Sequence, residues 1–123
     1  VARAQTVVEG LSALDMGQGC VVASGHILAV EAFGGTRWML SRLPAVRPAD
    51  WPEGGVLYKA PKASQERRID LPAICPETMA QAAQAGLAGV AIVQGGVVAL
   101  DLPDVIAEAD RLGLFLWVCE AKL

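Results

Sequence analysis

Histidine occurs once in this chain of 123 residues, at His26, and the three cysteines, Cys20, Cys75 and Cys119, stand far apart without a Cys-x-x-Cys pair. These scarcities exclude the usual zinc spacings. The odd number of cysteines predicts reduced, structural thiols in a cytoplasmic protein. A secretory leader is not visible, and the longest apolar stretch, GLAGVAIVQGGVVAL, is too short for a membrane span and is broken at Gln94-Gly95-Gly96. The chain has no Gly-x-x-x-x-Gly-Lys-Ser/Thr loop and no Gly-x-Ser-x-Gly elbow. Ser12, Ser24, Ser41 and Ser64 also lack a histidine pattern to activate them, which disfavours covalent acyl or glycosyl chemistry. Water activated by a hard cation on carboxylates stays open. With a net charge of −3 there is no global positive field, so nucleic acid is not an expected partner.

What is abundant is apolar surface: 54% of the residues are hydrophobic, punctuated by 13 glycines. That composition predicts one domain of short, buried strands joined by tight turns. The spacing of Val7, Val8, Leu11 and Leu14 predicts a leading helix over residues 2–14. CVVAS and HILAVEA read as a hairpin around Ser24-Gly25, with His26 exposed at its tip. Gly34-Gly35-Thr36 opens a short helix through Leu43, with Thr36 as candidate N-cap. Residues 44–54 read as a loop and GVLYKA as a strand. CPETMAQAAQAGL reads as a helix, GVAIV and VVAL as a second hairpin or strand pair, PDVIAEADRLG as a helix with Pro103 at its first position, and LFLWV as a closing strand. The expected fold class is α/β, a three-layer sandwich around a mixed sheet of about six short strands with about four helices.

The segment KAPKASQERRIDLP, residues 59–72, differs from its surroundings. From Lys59 to Arg68 it carries Lys59, Lys62, Arg67 and Arg68 against Glu66 alone, a local balance of +3 that leaves −6 elsewhere. A basic patch on an acidic protein suits a small anionic ligand. It follows a strand end, where ligands of α/β sheets gather, and arginine forks match phosphate oxygens. Asp70, between Ile69 and Leu71, is placed to be held against apolar surface. GGTRWML offers backbone amides at a helix N-terminus, and Asp15 to Gly19 places a carboxylate and the Gln18 amide on a glycine-rich turn. The same stretches also fit a solvated connection, an ordinary N-cap and a plain C-cap. Glu31 reads as a strand-end charge in preference to a metal ligand.

In their order, LDMGQG, VEAFGGT, KAPKASQERRIDLP, AGLAGVAI and ADRLGLF resemble the C-terminal domain of the LpxI family, UDP-2,3-diacylglucosamine pyrophosphatases of lipid A biosynthesis. The likeness runs from about Asp15 to Trp117. Its most specific part is K-x-P-K…Q-x-x-R-x-D-x-P, matched at Lys59, Pro61, Lys62, Gln65, Arg68, Asp70 and Pro72. The family's usual Glu-Gly-Thr-Asp stands here as Gly34-Gly35-Thr36-Arg37, without either acid.

The resemblance implies two α/β domains with the lipid between them, and Mg²⁺-dependent attack of water on the pyrophosphate of a lipid-linked UDP-sugar. It implies a catalytic and metal-binding role for Asp70. Lys59, Lys62, Gln65, Arg68, Gly35, Thr36 and Gln18 are the expected phosphate and substrate contacts, and Trp38, Met39, Leu40 and Trp51 are candidates to line an acyl chamber. Residues 1–14 would continue from a preceding N-terminal domain, consistent with an opening VARAQTVVEG that lacks methionine, and residues 15–123 would form the catalytic and lipid-binding domain. Expected partners are that domain, the inner membrane surface and a second copy in a homodimer. A non-catalytic module for an anionic sugar, lipid or nucleotide, or a dimerisation domain, are the alternatives.

Overall fold

The computed structural model describes residues 2–13, 17–46, 48, 50–61 and 72–120, with the backbone alone at 12 and 44–46. Lys62, Gln65, Arg68 and Asp70 therefore lie outside the described residues. The chain begins with α1 (Ala2–Ala13), followed by β1 (Gly19–Ala23), β2 (His26–Val30) and α2 (Gly35–Val46). Then come β3 (Val56–Lys59), β4 (Ala73–Ile74), α3 (Pro76–Gln84), β5 (Gly89–Val93), β6 (Val98–Ala99), α4 (Leu102–Leu112) and β7 (Phe115–Cys119). The expected α/β class holds.

One mixed sheet of five strands has the order β2-β1-β3-β5-β7. β1 runs antiparallel to both β2 and β3, whereas β3, β5 and β7 are parallel. The β1–β2 turn is the expected one: Ser24 and Gly25 both have positive φ, 50° and 78°, the geometry that matches the twist of a tight hairpin. All five residues of β1 and all five of β5 are buried, as unbroken apolar runs in a covered sheet should be.

Strand residues alternate between two cores. Val21, Leu57, Val90 and Ile92 pack with Leu40, Leu43, Met79, Ala82 and Val105 of α2, α3 and α4. Cys20, Val22, Tyr58 and Ala91 face the other way, against Ala4 and Val8 of α1. The result is three layers, α1 on one face and three helices on the other. The crossovers β3-α3-β5 and β5-α4-β7 both return over the same face, as successive right-handed connections must when the strands are laid down in one direction.

Four expectations are corrected. GVAIV and VVAL do not pair with each other, because β3 and β7 occupy both flanks of β5. β6 instead joins β4 in a separate two-stranded parallel sheet, Ala73 opposite Val98 and Ile74 opposite Ala99, so the described residues hold seven strands. α2 does not stop at Leu43 but runs through Pro44 to Val46, although a proline there has no N–H to give to the carbonyl four residues back. Thr36 is not an N-cap, since the helix already includes Gly35 and the Thr36 hydroxyl is bonded elsewhere. α4 begins at Leu102, one residue ahead of Pro103, and closes at Gly113 with φ 71° as its left-handed cap.

Candidate functional site

Because β1 runs against β3, its first residue lies beside the last residue of β3: Gly19 pairs with Lys59. Backbone bonds knit the neighbouring loops to this corner. Glu31 N donates to Gly19 O at 2.9 Å, and Ala60 N donates to Gln18 O at 2.9 Å. Two glycines make the close approach physically feasible. A Cβ at Gly17 would lie 2.1 Å from Glu31 O, closer than any side chain tolerates. A Cβ at Gly19 would lie 3.2 Å from Glu31 Oε2 and 3.4 Å from Lys59 Cγ, so these two side chains share the space that the missing methyl leaves.

Opposite charges thus meet at the C-terminal end of β3, the edge of a parallel sheet where ligands bind. The Thr36 hydroxyl, in the first turn of α2, donates to Glu31 Oε2. Lys59 is only 7% exposed, and its ammonium donates to the carbonyl of Ala73 at 3.0 Å. Burial lowers its pKa, while the Glu31 carboxylate and, to a smaller extent, Cys75 push the other way. Gln18 Nε2 is buried with no hydrogen-bond partner among the described residues. Such a donor costs about 1–3 kcal/mol if nothing meets it, which marks a place for an acceptor.

The structure thus brings Gln18, Gly35, Thr36 and Lys59 to one corner and adds Glu31, which the sequence favoured as a mere strand-end charge. No pattern in the sequence announces that carboxylate; only the β1–β3 pairing and the α2 start do. Other residues separate from the corner. Arg37, standing where the family has an acid, pairs with Glu77 of α3, Nη2 to Oε1 at 3.1 Å. Met39 and Leu40 belong to the core, and so do not line a chamber, whereas Trp38 is 61% exposed and Trp51 sits at the surface. His26 is exposed at the hairpin tip, as expected.

Mg²⁺ asks for oxygen ligands, commonly one or two carboxylates completed by substrate phosphates and water. Among the described residues no group of three or more His, Cys, Asp or Glu gathers around one point. Glu31 nevertheless supplies one half-buried carboxylate at the corner, a donor set that fits an ion shared with phosphate oxygens.

Comparison with known proteins shows the family. The model of the LpxI C-terminal domain matches residues 1–117. A protein of Caulobacter vibrioides described as UDP-2,3-diacylglucosamine pyrophosphatase LpxI is 46% identical over 123 aligned residues, covering 93% of this chain. The chain spans 42% of that relative's length. With nearly all of its residues matched, the chain belongs to the LpxI C-terminal domain family.

Proposed function

We propose that this chain is the C-terminal part of a hydrolase that cleaves UDP-2,3-diacylglucosamine with water, giving UMP and 2,3-diacylglucosamine 1-phosphate. Water adds to phosphorus as the bond to the bridging oxygen breaks, and the leaving phosphate takes that electron pair. The observation that carries this reading is the corner at Gly19. A buried ammonium, a carboxylate and a helix N-terminus converge where the Lys59–Pro72 motif leaves the sheet, and a relative described as this pyrophosphatase is 46% identical.

In this reading Lys62, Gln65 and Arg68 contact the phosphates with the Gln18 amide, while Lys59 contributes fixed positive charge from below. The Gly35 amide, bonded to Ala32 O, and the Thr36 hydroxyl, bonded to Glu31, shape the corner. Asp70 orients the attacking water. Asp70 and Glu31 would hold Mg²⁺, which supplies charge that offsets the phosphate oxygens. Positive groups held in place act without reorganising as negative charge moves, and removing one such contact costs on the order of 3 kcal/mol of barrier. In this reading an N-terminal domain, as the family resemblance implies, would complete the substrate chamber, and activity would need both domains. In this reading the enzyme works in the cytoplasm, at the inner membrane surface that would hold its lipid-linked substrate. No helix among the described residues is long and apolar enough to cross a membrane.

UMP release by the full-length protein, with and without Mg²⁺, tests this. The expected result is metal-dependent turnover that falls about 10²–10³-fold in Asp70→Asn. Substrate binding without turnover by the folded wild type would leave a non-catalytic binding module.

A further inference from the structure

Four contacts, none of them at an exposed charge, tie together the two ends of the charged segment. The ammonium of Lys59, the last residue of β3, bonds the carbonyl of Ala73, the first residue of β4. Gly96 packs so tightly on Pro61 that a Cβ there would lie 2.6 Å from both Cδ and Cγ of the ring. Val98 N donates to Pro72 O at 2.9 Å, and Leu100 N to Ile74 O at 2.9 Å. The turn after β5 is itself closed by Gly96 N donating to Val93 O at 3.1 Å. Pro61 and Pro72, which flank the segment, are therefore both held by the 96–98 stretch, and Lys59 cross-links the exit to the return. Gly96 is buried and does not have a positive φ, so what demands glycine there is the proline ring.

Resting on the reading above, we infer that Lys59 and the Gly96–Val98 stretch form a clamp that positions the segment carrying Asp70, with Lys59 acting as a positioning residue and not as a phosphate ligand. Asp70 stands three residues ahead of Ala73 in the chain, so the bond from Lys59 holds the strand that follows it in sequence. Lys59 as a residue is only 7% exposed, and its ammonium commits one of its three donors to a backbone carbonyl. The small sheet β4–β6 buries Ile74 in the core, and its pairing also anchors the return of the segment to the turn that grips its exit.

The test uses the full-length protein with Lys59→Met, Lys59→Arg, Gly96→Ala and the Lys59→Met/Gly96→Ala double variant. Displacement of a reacting group by about 1 Å costs on the order of 10²-fold. Lys59→Met and Gly96→Ala are therefore expected to lower kcat by about 10–10²-fold with KM and UMP affinity within about twofold. Lys59→Arg should recover part of the loss, and the double variant should lose less than the product of the two single effects. Amide hydrogen exchange at residues 59–60 and 73–74 is expected to quicken about tenfold in both single variants while β1 and β5 stay protected. Higher KM and weaker UMP binding in Lys59→Met, with kcat and exchange unchanged, would overturn the clamp and return Lys59 to the phosphates. If wild type releases no UMP, the pyrophosphatase reading falls, and the exchange measurement still decides the clamp. If the Lys59→Met chain fails to fold, Gly96→Ala, which removes no charge, decides the clamp by the same kinetic and exchange measurements.

Discussion

Phe115 on β7 closes over Gly89 on β5, its register partner in the parallel pair: a Cβ at Gly89 would lie 2.5 Å from Cγ, Cδ1 and Cδ2 of the ring. The ring thus takes the place that a side chain at residue 89 would fill. Gly89→Ala must displace the ring or the strand, a form of overpacking that costs about 1–3 kcal/mol. In a Phe115→Ala background the same change is expected to cost almost nothing. Urea denaturation of the four proteins measures the coupling.

The Thr36 hydroxyl bonded to the Glu31 carboxylate anchors the start of α2 to the end of β2. Hydrogen bonds to charged groups contribute about 1.5–3 kcal/mol, less where solvent reaches them. Thr36→Val should therefore lower stability by about 1–2 kcal/mol, and Thr36→Ser should restore most of it. Thermal melts of the three proteins decide this, and an unchanged Tm in the valine variant would count against the bond.

Two buried acids set the alkaline limit of the fold. Burial pushes the Cys20 thiol from 9.0 up to about 12. The Tyr58 phenol is raised from 10.0 to about 12, by burial first and by Cys119 second. Both groups are neutral in the fold and release protons more easily when it opens. Their stabilisation is complete below the unfolded values and is lost as pH climbs from about 9 towards about 12. Urea midpoints should hold steady up to about pH 8.5 and fall beyond it, with a shallower fall in Cys20→Ala.

Arg37 and Glu77 form an exposed ion pair between α2 and α3. Exposed pairs contribute about 0–1 kcal/mol, so Arg37→Ala should change stability by less than about 0.5 kcal/mol. The same variant should leave UMP release by the full-length protein near the wild-type rate, since the guanidinium is turned to Glu77. A large kinetic loss would show that Arg37 reaches the substrate.

Most of the fold was legible because most elements carry their own punctuation. Ser24-Gly25 separates two apolar runs, Pro76 and Gly113 mark helix ends, and Val90 to Val93 form an unbroken apolar strand. Elements without such marks were missed. β4 is two residues long, too short for any period, and the partner of β6 depends on which neighbours β5 already has. At the candidate site, the motif beginning at Lys59 drew attention to the end of β3. Gly19 meets Glu31 by continuation of the β1–β2 hairpin, but it meets Lys59 only through pairing across forty residues, which local pattern does not encode. The bond from Lys59 to Ala73 was equally hidden, since a lysine in a basic run reads as solvated.

The reversal of direction between β1 and β3 also governs the order in which the corner can come into being. The β1–β2 hairpin is local and can form early, bringing Gln18 near Glu31, but Gly19 meets Lys59 only when strands forty positions apart in the chain join. Such distant closures are slow compared with hairpins. A newly made chain therefore carries a carboxylate without its buried ammonium until the sheet is complete, and the binding corner is among the last features of the molecule to mature.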